Sequence, residues 1–411
     1  MSERFDLVVV GGGLVGASLV CALAGQGLRM ALVEAQPLKV ADLPGYDDRG
    51  IALAAGSQRI FAGMGLWPAL ADAATPIRRI HVSDRGRFGF VRLDAADEGV
   101  PALGQVALAR DLGAVLLERL ADLDEVTLFA PARVADFGVD GEGARLTLDT
   151  GGGTQTIEAR LVVAADGTRS ALRDQLGIAT TEWDYGQSAV IANVTPQLPH
   201  EGVAYERFTD TGPVALLPMS QGRCALVWTV PADRVEAVMA LDDAAFLDGL
   251  QARFGQRLGR LERVGRRSAY PLRLVRAKAA LGPRLALIGN AAHTLHPIAG
   301  QGFNLGLRDV AALAEVLAEA RRAGEDPGAP EVLARYARWR QADQRRVVAF
   351  TDGLNRLFAN PLPPVACARD LGMLALDLLP VAKRGFGRLA MGRAGRLPRL
   401  ARGLPLGEVC A

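Results

Sequence analysis

The chain opens with charged residues and then an uninterrupted apolar run, FDLVVV (5–10), closed by three glycines. A short apolar run bounded by turn residues predicts a buried parallel strand. Residues 14–27 (LVGASLVCALAGQG) carry apolar positions at helical spacing and stop at glycine, and LRMALVEA supplies a second apolar strand ending at Glu34. Strand, helix and strand in that order make a βαβ unit.

The pattern changes downstream. Between about 78 and 109, and again between about 178 and 271, runs rich in Val, Thr, Phe and Arg alternate with turn signals, as in RRIHVSDRGRFGFVRL, SAVIANVTP, GVAYERFTDTGPVALLPM and GRCALVWTVP. This predicts the antiparallel strands of a mixed sheet. Residues 109–123 (ARDLGAVLLERLADL) read as a helix and 125–167 as short strands returning to a glycine turn. Apolar strand material recurs at 160–164 and 285–288, so the α/β part is interrupted, and from Gly302 onward the pattern is largely helical. The expected division is one discontinuous domain over 1–77, 102–177 and 273–360, a sheet domain over 78–101 and 178–272, and a helical segment over 361–411.

Composition narrows the class. With 411 residues, 50% hydrophobic and 22% charged, the chain can bury two associated cores. A net charge of +2 gives no basic field for nucleic acid. Cys21, Cys224, Cys367 and Cys410 form no CxxC pair, which fits a reducing cytosol and argues against a disulfide framework or a cysteine zinc site. No secretory signal is visible, and no stretch approaches the roughly 20 apolar residues of a membrane span. A cytoplasmic protein is expected, free to meet the inner face of the cytoplasmic membrane.

Three strand-to-helix junctions carry candidate chemistry. GGGLVG (11–16) places GxGxxG on Gly11, Gly13 and Gly16, where glycines permit a tight turn and close approach of a pyrophosphate to a helix N-terminus. Glu34 can accept hydrogen bonds from ribose hydroxyls, and an acid there disfavours a 2′-phosphate, so the site suits FAD or NAD rather than NADP. The second junction is AADGTRS (164–170), also readable as an Asp-Gly turn with a Ser helix cap. The third, LALIGN followed by AAHTLHPIAGQGFN (285–304), holds two of the four histidines. HxxH without an acid cluster is no zinc ligand set, so no metal is expected.

In this order, GxGxxG, a DG turn and GNAAH…P…GQGFN resemble the class A flavoprotein aromatic hydroxylases over nearly the whole chain. The segments DDRGIALAAGS (47–57), HVSDRG (81–86), AVIANV (189–194), ERFTDTGPVALLPMSQGRCALVW (206–228), RSAYPL (267–272) and GNAAHTLHPIAGQGFNLGLRD (289–309) are most similar to the ubiquinone-biosynthesis hydroxylases, in particular the branch that oxidises 2-polyprenyl-6-methoxyphenol. The resemblance implies a para-hydroxybenzoate-hydroxylase-like fold, in which a Rossmann-like FAD-binding domain is interleaved with a mixed-sheet substrate domain and followed by a helical C-terminal region. It implies FAD as cofactor, NAD(P)H as a transient co-substrate, and O2 and a polyprenylated phenol as reactants, with a flavin C4a-hydroperoxide as the oxidant and 1,4-benzoquinol as product. A ubiquinone-biosynthesis complex is the implied setting. Nothing in the sequence sets the oligomeric state.

Residue by residue, the resemblance places the adenosine half of FAD on Gly11, Gly13, Gly16 and Glu34, and flavin-side contacts on Arg49 and Arg110. Asp166 falls between FAD and the nicotinamide path. Gly289 and Asn290 fall beside the ribityl chain, where the family usually has Gly-Asp; an amide still bonds a hydroxyl but removes one negative charge. Pro297, Gly300, Gly302 and Asn304 fall at the flavin ring, with the positive end of the following helix directed at its N1/C2 region. His293 and His296 are near the ring by motif position and are, with Pro297, the candidates for catalysis, although local hydrogen bonding accounts for the histidines as well. Tyr205 and Glu206 are weaker candidates for the base, because an exposed polar strand explains them equally.

From Leu379 to the C-terminus seven basic residues (Lys383, Arg384, Arg388, Arg393, Arg396, Arg399, Arg402) face a single acid, Glu408, with apolar residues between them. This suits either a surface that meets anionic lipid or a helical cover with a solvated basic face. Four readings compete with the main one, a geranylgeranyl reductase of the same fold among them. A flavin halogenase is disfavoured because Val227-Trp228-Thr229-Val230-Pro231 lacks the paired tryptophan of WxWxIP. A hydroxylase for another ring position stays open. A non-catalytic flavin-binding scaffold subunit would not need the proline and glycines of the third junction.

Overall fold

The computed structural model describes residues 3–39, 48–141 and 143–407. Asp47, Glu408 and Cys410 lie outside them. The first sheet is built on the central strand Glu3–Val10, flanked in parallel by Met30–Val33 and Thr154–Ala164; Val126–Phe129 and Leu285–Leu287 extend it, also in parallel. Val8 pairs with Val162, and Val9 with Leu32. The period of two sends Leu7 and Val9 into a core shared with the helices, and Val8 and Val10 into a second core against Leu146 and Leu148 of the antiparallel strand Gly143–Asp149. Both faces are covered, which is why these strands are apolar throughout.

The helix after the first strand spans Leu14–Ala22, shorter than the 14–27 expected from spacing. Gly25 and Gly27 adopt left-handed φ of +71° and +66° and end it. It packs against Gln301–Arg322, a 22-residue helix that starts one residue before the Gly302 expected from the pattern, on Gly300 at φ +59°.

The second sheet has nine strands and takes Arg79–Asp84 and Phe90–Asp94 together with strands between residues 180 and 294. Its pairings are antiparallel except Val203–Thr209 against Arg79–Asp84. One face carries Val190, Val214, Leu216, Leu226 and Trp228 into a core under the helix Asp243–Phe254. The other face, with Ile191, Ala215, Leu217 and Val227, looks into a cavity. Gly50–Ala54, Gly104–Leu108 and Thr75–Ile77 form a small third sheet.

Three helices close the chain: Pro330–Ala359, Pro363–Leu378 and Pro380–Ala390. Each opens on proline, which fits a first turn whose N–H groups have no partner and stops the element before it. Three contacts tie them to the second sheet: Arg369 bonds Asp84 in a buried pair, Asp377 accepts from the Arg92 amide at 2.8 Å, and Phe358 stacks on Phe208. No helix among the described residues is long and apolar enough to cross a membrane.

Candidate active site

A cavity of about 700 Å³ lies where the first sheet's loops, the open face of the second sheet and the C-terminal helices meet. Of the residues singled out in the sequence, Gly13, Arg49, Tyr205, Glu206, Asn290, Pro297, Gly300, Gly302 and Asn304 line it. Where the three C-terminal helices supply the wall, it is apolar: Phe350, Leu354, Phe358, Met373, Leu376 and Phe386.

The glycine loop is packed to its limit. A Cβ on Gly16 would sit 1.9 Å from the Gly11 carbonyl oxygen, and Gly11 itself has φ +107°. At Gly13 a Cβ would meet nothing within 4 Å, so open space lies in front of a helix N-terminus that no side chain caps. Glu34 sits at the rim, accepting from the Gly12 amide at 2.6 Å and the Gln36 amide at 3.0 Å. The second motif lies against the third: Arg173, 4% exposed, donates to the carbonyls of Thr168 and Ala291, and the Thr168 and Thr294 hydroxyls are 2.9 Å apart. Asp166 accepts from the Leu172 amide at 3.4 Å. Its Oδ1 is buried with no partner among the described residues, and burial raises its pKa against the pull of Ser170 and Leu172.

In the third motif the backbone makes the shape. Ala299 takes φ +58° and Gly300 φ +59°, two left-handed residues in a row ahead of the Gln301 helix. A non-glycine residue held there is strained, and such strain gathers at functional sites. Asn304 does not cap this helix; Gly300 does. The Asn304 side chain instead donates to the carbonyls of Ala52 (2.8 Å) and Gly300 (2.6 Å) and accepts from the Ala54 amide (2.8 Å), pinning the third motif to the strand Gly50–Ala54. Gly302 leaves open space where a Cβ would stand.

Neither histidine of this motif lines the cavity. His293, 3% exposed, points inward, its Nε2 2.6 Å from Asp309 Oδ2. Asp309 also accepts from Arg340 (2.7 Å) and Gln344 (2.9 Å). Burial alone would raise the Asp309 carboxyl, but Arg340 and His293 outweigh it and hold it well below the usual range. His296 is fully buried, accepts from the Ile298 amide at 3.2 Å and meets the Tyr185 ring edge-on; burial pulls its pKa down to about 4, leaving it neutral. Both histidines point away from the cavity, while Pro297 reaches its wall. Arg49 reaches that wall too, stacked over Tyr270. Arg110 instead pairs with Asp48 and Asp111 and borders a separate cavity of about 140 Å³.

Two features were underweighted in the sequence. On Val203–Thr209 Tyr205 borders the cavity but packs its ring edge-on against Phe254, while Glu206 faces the cavity as the only carboxylate among its described lining residues. The alternation was there to be read, but which face is covered is set by elements far away in sequence. The Asp309–Arg340–Gln344 cluster joins two helices and had no local signature.

The arrangement fits a flavin dinucleotide. Two helix N-termini without a side-chain cap, at Gly13 and Gly300, offer partial positive charge, the glycines leave room for close approach, and one Asp166 oxygen has no partner among the described residues. A family model described as "FAD binding domain" matches residues 4–351. Ubiquinone hydroxylase UbiL of Rhodospirillum rubrum is 43% identical over 404 residues, 98% of this chain and 93% of that protein. The 3-demethoxyubiquinol 3-hydroxylase of Escherichia coli K12 is 33% identical, over 95% of this chain and 99% of that one. Among solved structures, the p-nitrophenol 4-monooxygenase PnpA of Pseudomonas putida DLL-E4 shares the fold with a TM-score of 0.79 at 19% identity, covering 97% of this chain and 100% of that chain. The protein is an FAD-dependent monooxygenase with NAD(P)H as co-substrate. The chain belongs to the class A FAD-dependent aromatic hydroxylases of ubiquinone biosynthesis.

Proposed function

We propose that the protein hydroxylates the ring of a polyprenylated phenol, 2-polyprenyl-6-methoxyphenol, to the 1,4-benzoquinol. The observation that carries this reading is the two-part wall of the 700 Å³ cavity. Around Asn290, Pro297, Gly300, Gly302 and Glu206 it offers backbone amides and polar groups for a ring; between Phe350, Leu354, Phe358, Met373, Leu376 and Phe386 it offers only apolar surface, suited to an isoprenoid tail.

In this reading Gly11, Gly13, Gly16 and Glu34 hold the adenosine half of FAD, Asn290 and Gly289 the ribityl chain, and Pro297, Gly300 and Gly302 the ring. Arg49 meets phosphate charge, and Arg110 supports the same side through Asp48. Asp166 faces the nicotinamide path. Bound FAD, reduced by NAD(P)H, activates O2 for insertion into the ring. The chain's own task is to orient the phenol and exclude water, because water in the pocket diverts reducing equivalents to peroxide. The apolar wall serves exclusion, and Asn304 holds the loop that orients the ring.

The roof of the cavity gives this substrate a route. The Pro363 and Pro380 helices turn Met373, Leu376 and Phe386 inward and expose Leu371, Leu378, Leu379 and Val381 outward. The described residues from 371 to 407 carry no exposed acid, while Arg384 and Arg388 are exposed beside that apolar face. Apolar residues flanked by exposed cations match an anionic lipid surface, here the inner face of the cytoplasmic membrane.

A second reading, hydroxylation at another ring carbon of the same pathway, is favoured by the match to a 3-demethoxyubiquinol 3-hydroxylase. Deleting the protein from its host and identifying the accumulated intermediate by mass separates the two. A methoxylated polyprenylphenol lacking the para oxygen supports the first reading; a precursor blocked at a different carbon replaces it with the second.

A further inference from the structure

Resting on the phenol reading above, we infer that Glu206 is the catalytic base that takes the phenolic proton. Hydroxylation by electrophilic oxygen runs faster on phenolate than on phenol, so a proton acceptor must lie in the same cavity as the ring. Tyr205 borders the cavity, but its ring packs edge-on against Phe254 and burial raises its pKa further, so its hydroxyl keeps its proton; His293 and His296 lie behind the wall, and Arg49 cannot accept a proton. Glu206 is the one carboxylate among the described residues lining the cavity.

Its position couples it to the flavin side. Glu206 Oε1 accepts a hydrogen bond from the Ala299 amide at 3.4 Å, a long bond to a left-handed residue of the Pro297–Gly300 turn. That turn is the part of the wall assigned to the flavin ring, so the carboxylate stands beside the place where the substrate ring meets the cofactor. Oε2 has no hydrogen bond to the described residues and is available to a phenol hydroxyl.

The electrostatics suit the task. Glu206's cross-strand neighbours are Ala215 and Val82, neither of them charged. Among the described lining residues, Arg49 is the only other charged side chain and Tyr205 the only other titratable one. Half-buried and open to the cavity, the carboxyl has its pKa pushed up to about 7 by burial, with the Ala299 amide opposing only in part. A base poised near neutrality exists in both forms at working pH and can take and release a proton. In the step, the phenol O–H bond breaks, the proton passes to a Glu206 carboxylate oxygen, and the electron pair stays on the phenol oxygen, raising electron density at the para carbon. No electrons leave the substrate. After the product departs, Glu206 returns the proton to water entering the cavity.

The test uses the FAD-loaded full-length enzyme with 2-prenylphenols, comparing wild type with Glu206→Gln and Glu206→Asp across pH 5.5–10. Flavin content reports that each variant is folded. Glu206→Gln should lose about 10²–10⁴-fold in hydroxylation rate near pH 7. The loss should shrink as pH approaches the phenol's own pKa, about 10, and shrink further with a ring fluorine that acidifies the hydroxyl. Glu206→Asp should recover part of the rate. An unchanged rate and pH profile for Glu206→Gln overturns the inference, and so does a loss that neither high pH nor the acidic analogue relieves, since that marks a positional role. Failure of the wild type on prenylphenols overturns the substrate reading instead. The variant-to-wild-type ratio, measured on any phenol the wild type oxidises, still decides on Glu206.

Discussion

Asp309 grips His293 from behind the cavity wall at 2.6 Å while its other oxygen receives Arg340 and Gln344. This carboxylate, on the Gln301–Arg322 helix, joins the third motif to the Pro330–Ala359 helix. Replacing it with Asn leaves Arg340 buried beside only Asp343. Losing one member of a buried charge pair costs about 3–5 kcal/mol, so Asp309→Asn should melt well below wild type at pH 7. The carboxyl is depressed in the folded state, so its stabilisation is complete above the unfolded value of about 4 and is lost as pH falls further. Melting curves at descending pH should show the gap narrowing below pH ~4; a constant gap would mean the carboxylate's charge is irrelevant.

Gly16 and Gly13 separate two kinds of glycine requirement. Gly16→Ala forces a Cβ to within 1.9 Å of the Gly11 oxygen and should disrupt the loop itself, giving unstable, colourless protein. Gly13→Ala meets no protein atom within 4 Å, so the apoprotein should melt like wild type yet bind FAD at least tenfold more weakly, about 1.4 kcal/mol. Flavin titration and apoprotein melting check both; normal FAD affinity in Gly13→Ala would remove the pyrophosphate from this loop.

Asn290 lines the cavity beside Pro297. Asn290→Asp should keep its flavin, because a carboxylate also accepts from a ribityl hydroxyl, while the added negative charge should move the flavin reduction potential in the negative direction. Reductive titration measures the shift. Complete loss of flavin contradicts the ribityl placement.

The outer faces of the Pro363 and Pro380 helices are tested by co-sedimentation. Wild type should bind phosphatidylglycerol vesicles more than phosphatidylcholine vesicles, and less as salt is raised. Leu378→Ser with Val381→Ser, both residues exposed, should reduce that binding without lowering the melting temperature. Equal binding by the variant would remove lipid from this face, and concentration-dependent self-association of the wild type would give the face to a second copy.

The parallel sheet was legible because its strands are covered on both faces and so are apolar at every position, a signal contained within each segment. Glycine junctions were legible for a similar reason: the turn, the close approach and the helix start all fall within a few residues. Glu206 was harder. A strand with alternating polarity reads as half-exposed, and only distant helices turn that exposed face into a closed cavity. The histidines misled in the opposite sense, since motif position put them near the ring while Asp309, from the next helix, drew His293 into the interior. The C-terminal segment left a lipid surface and a core cover open as alternatives; the helices there cover the cavity with one face and leave leucines exposed on the other.

The strand order of the first sheet bears on how the protein comes into being. Glu3–Val10 has its neighbours at Met30–Val33 and Thr154–Ala164, and the sheet then waits for Leu285–Leu287 and the helix begun at Gln301. A ribosome must therefore emit about three-quarters of the polypeptide before the flavin's two ends have both their cradles. On the FAD placement proposed above, chains terminated before the third junction should not retain the cofactor, so yellow colour in a nascent preparation should mark molecules whose synthesis has passed it.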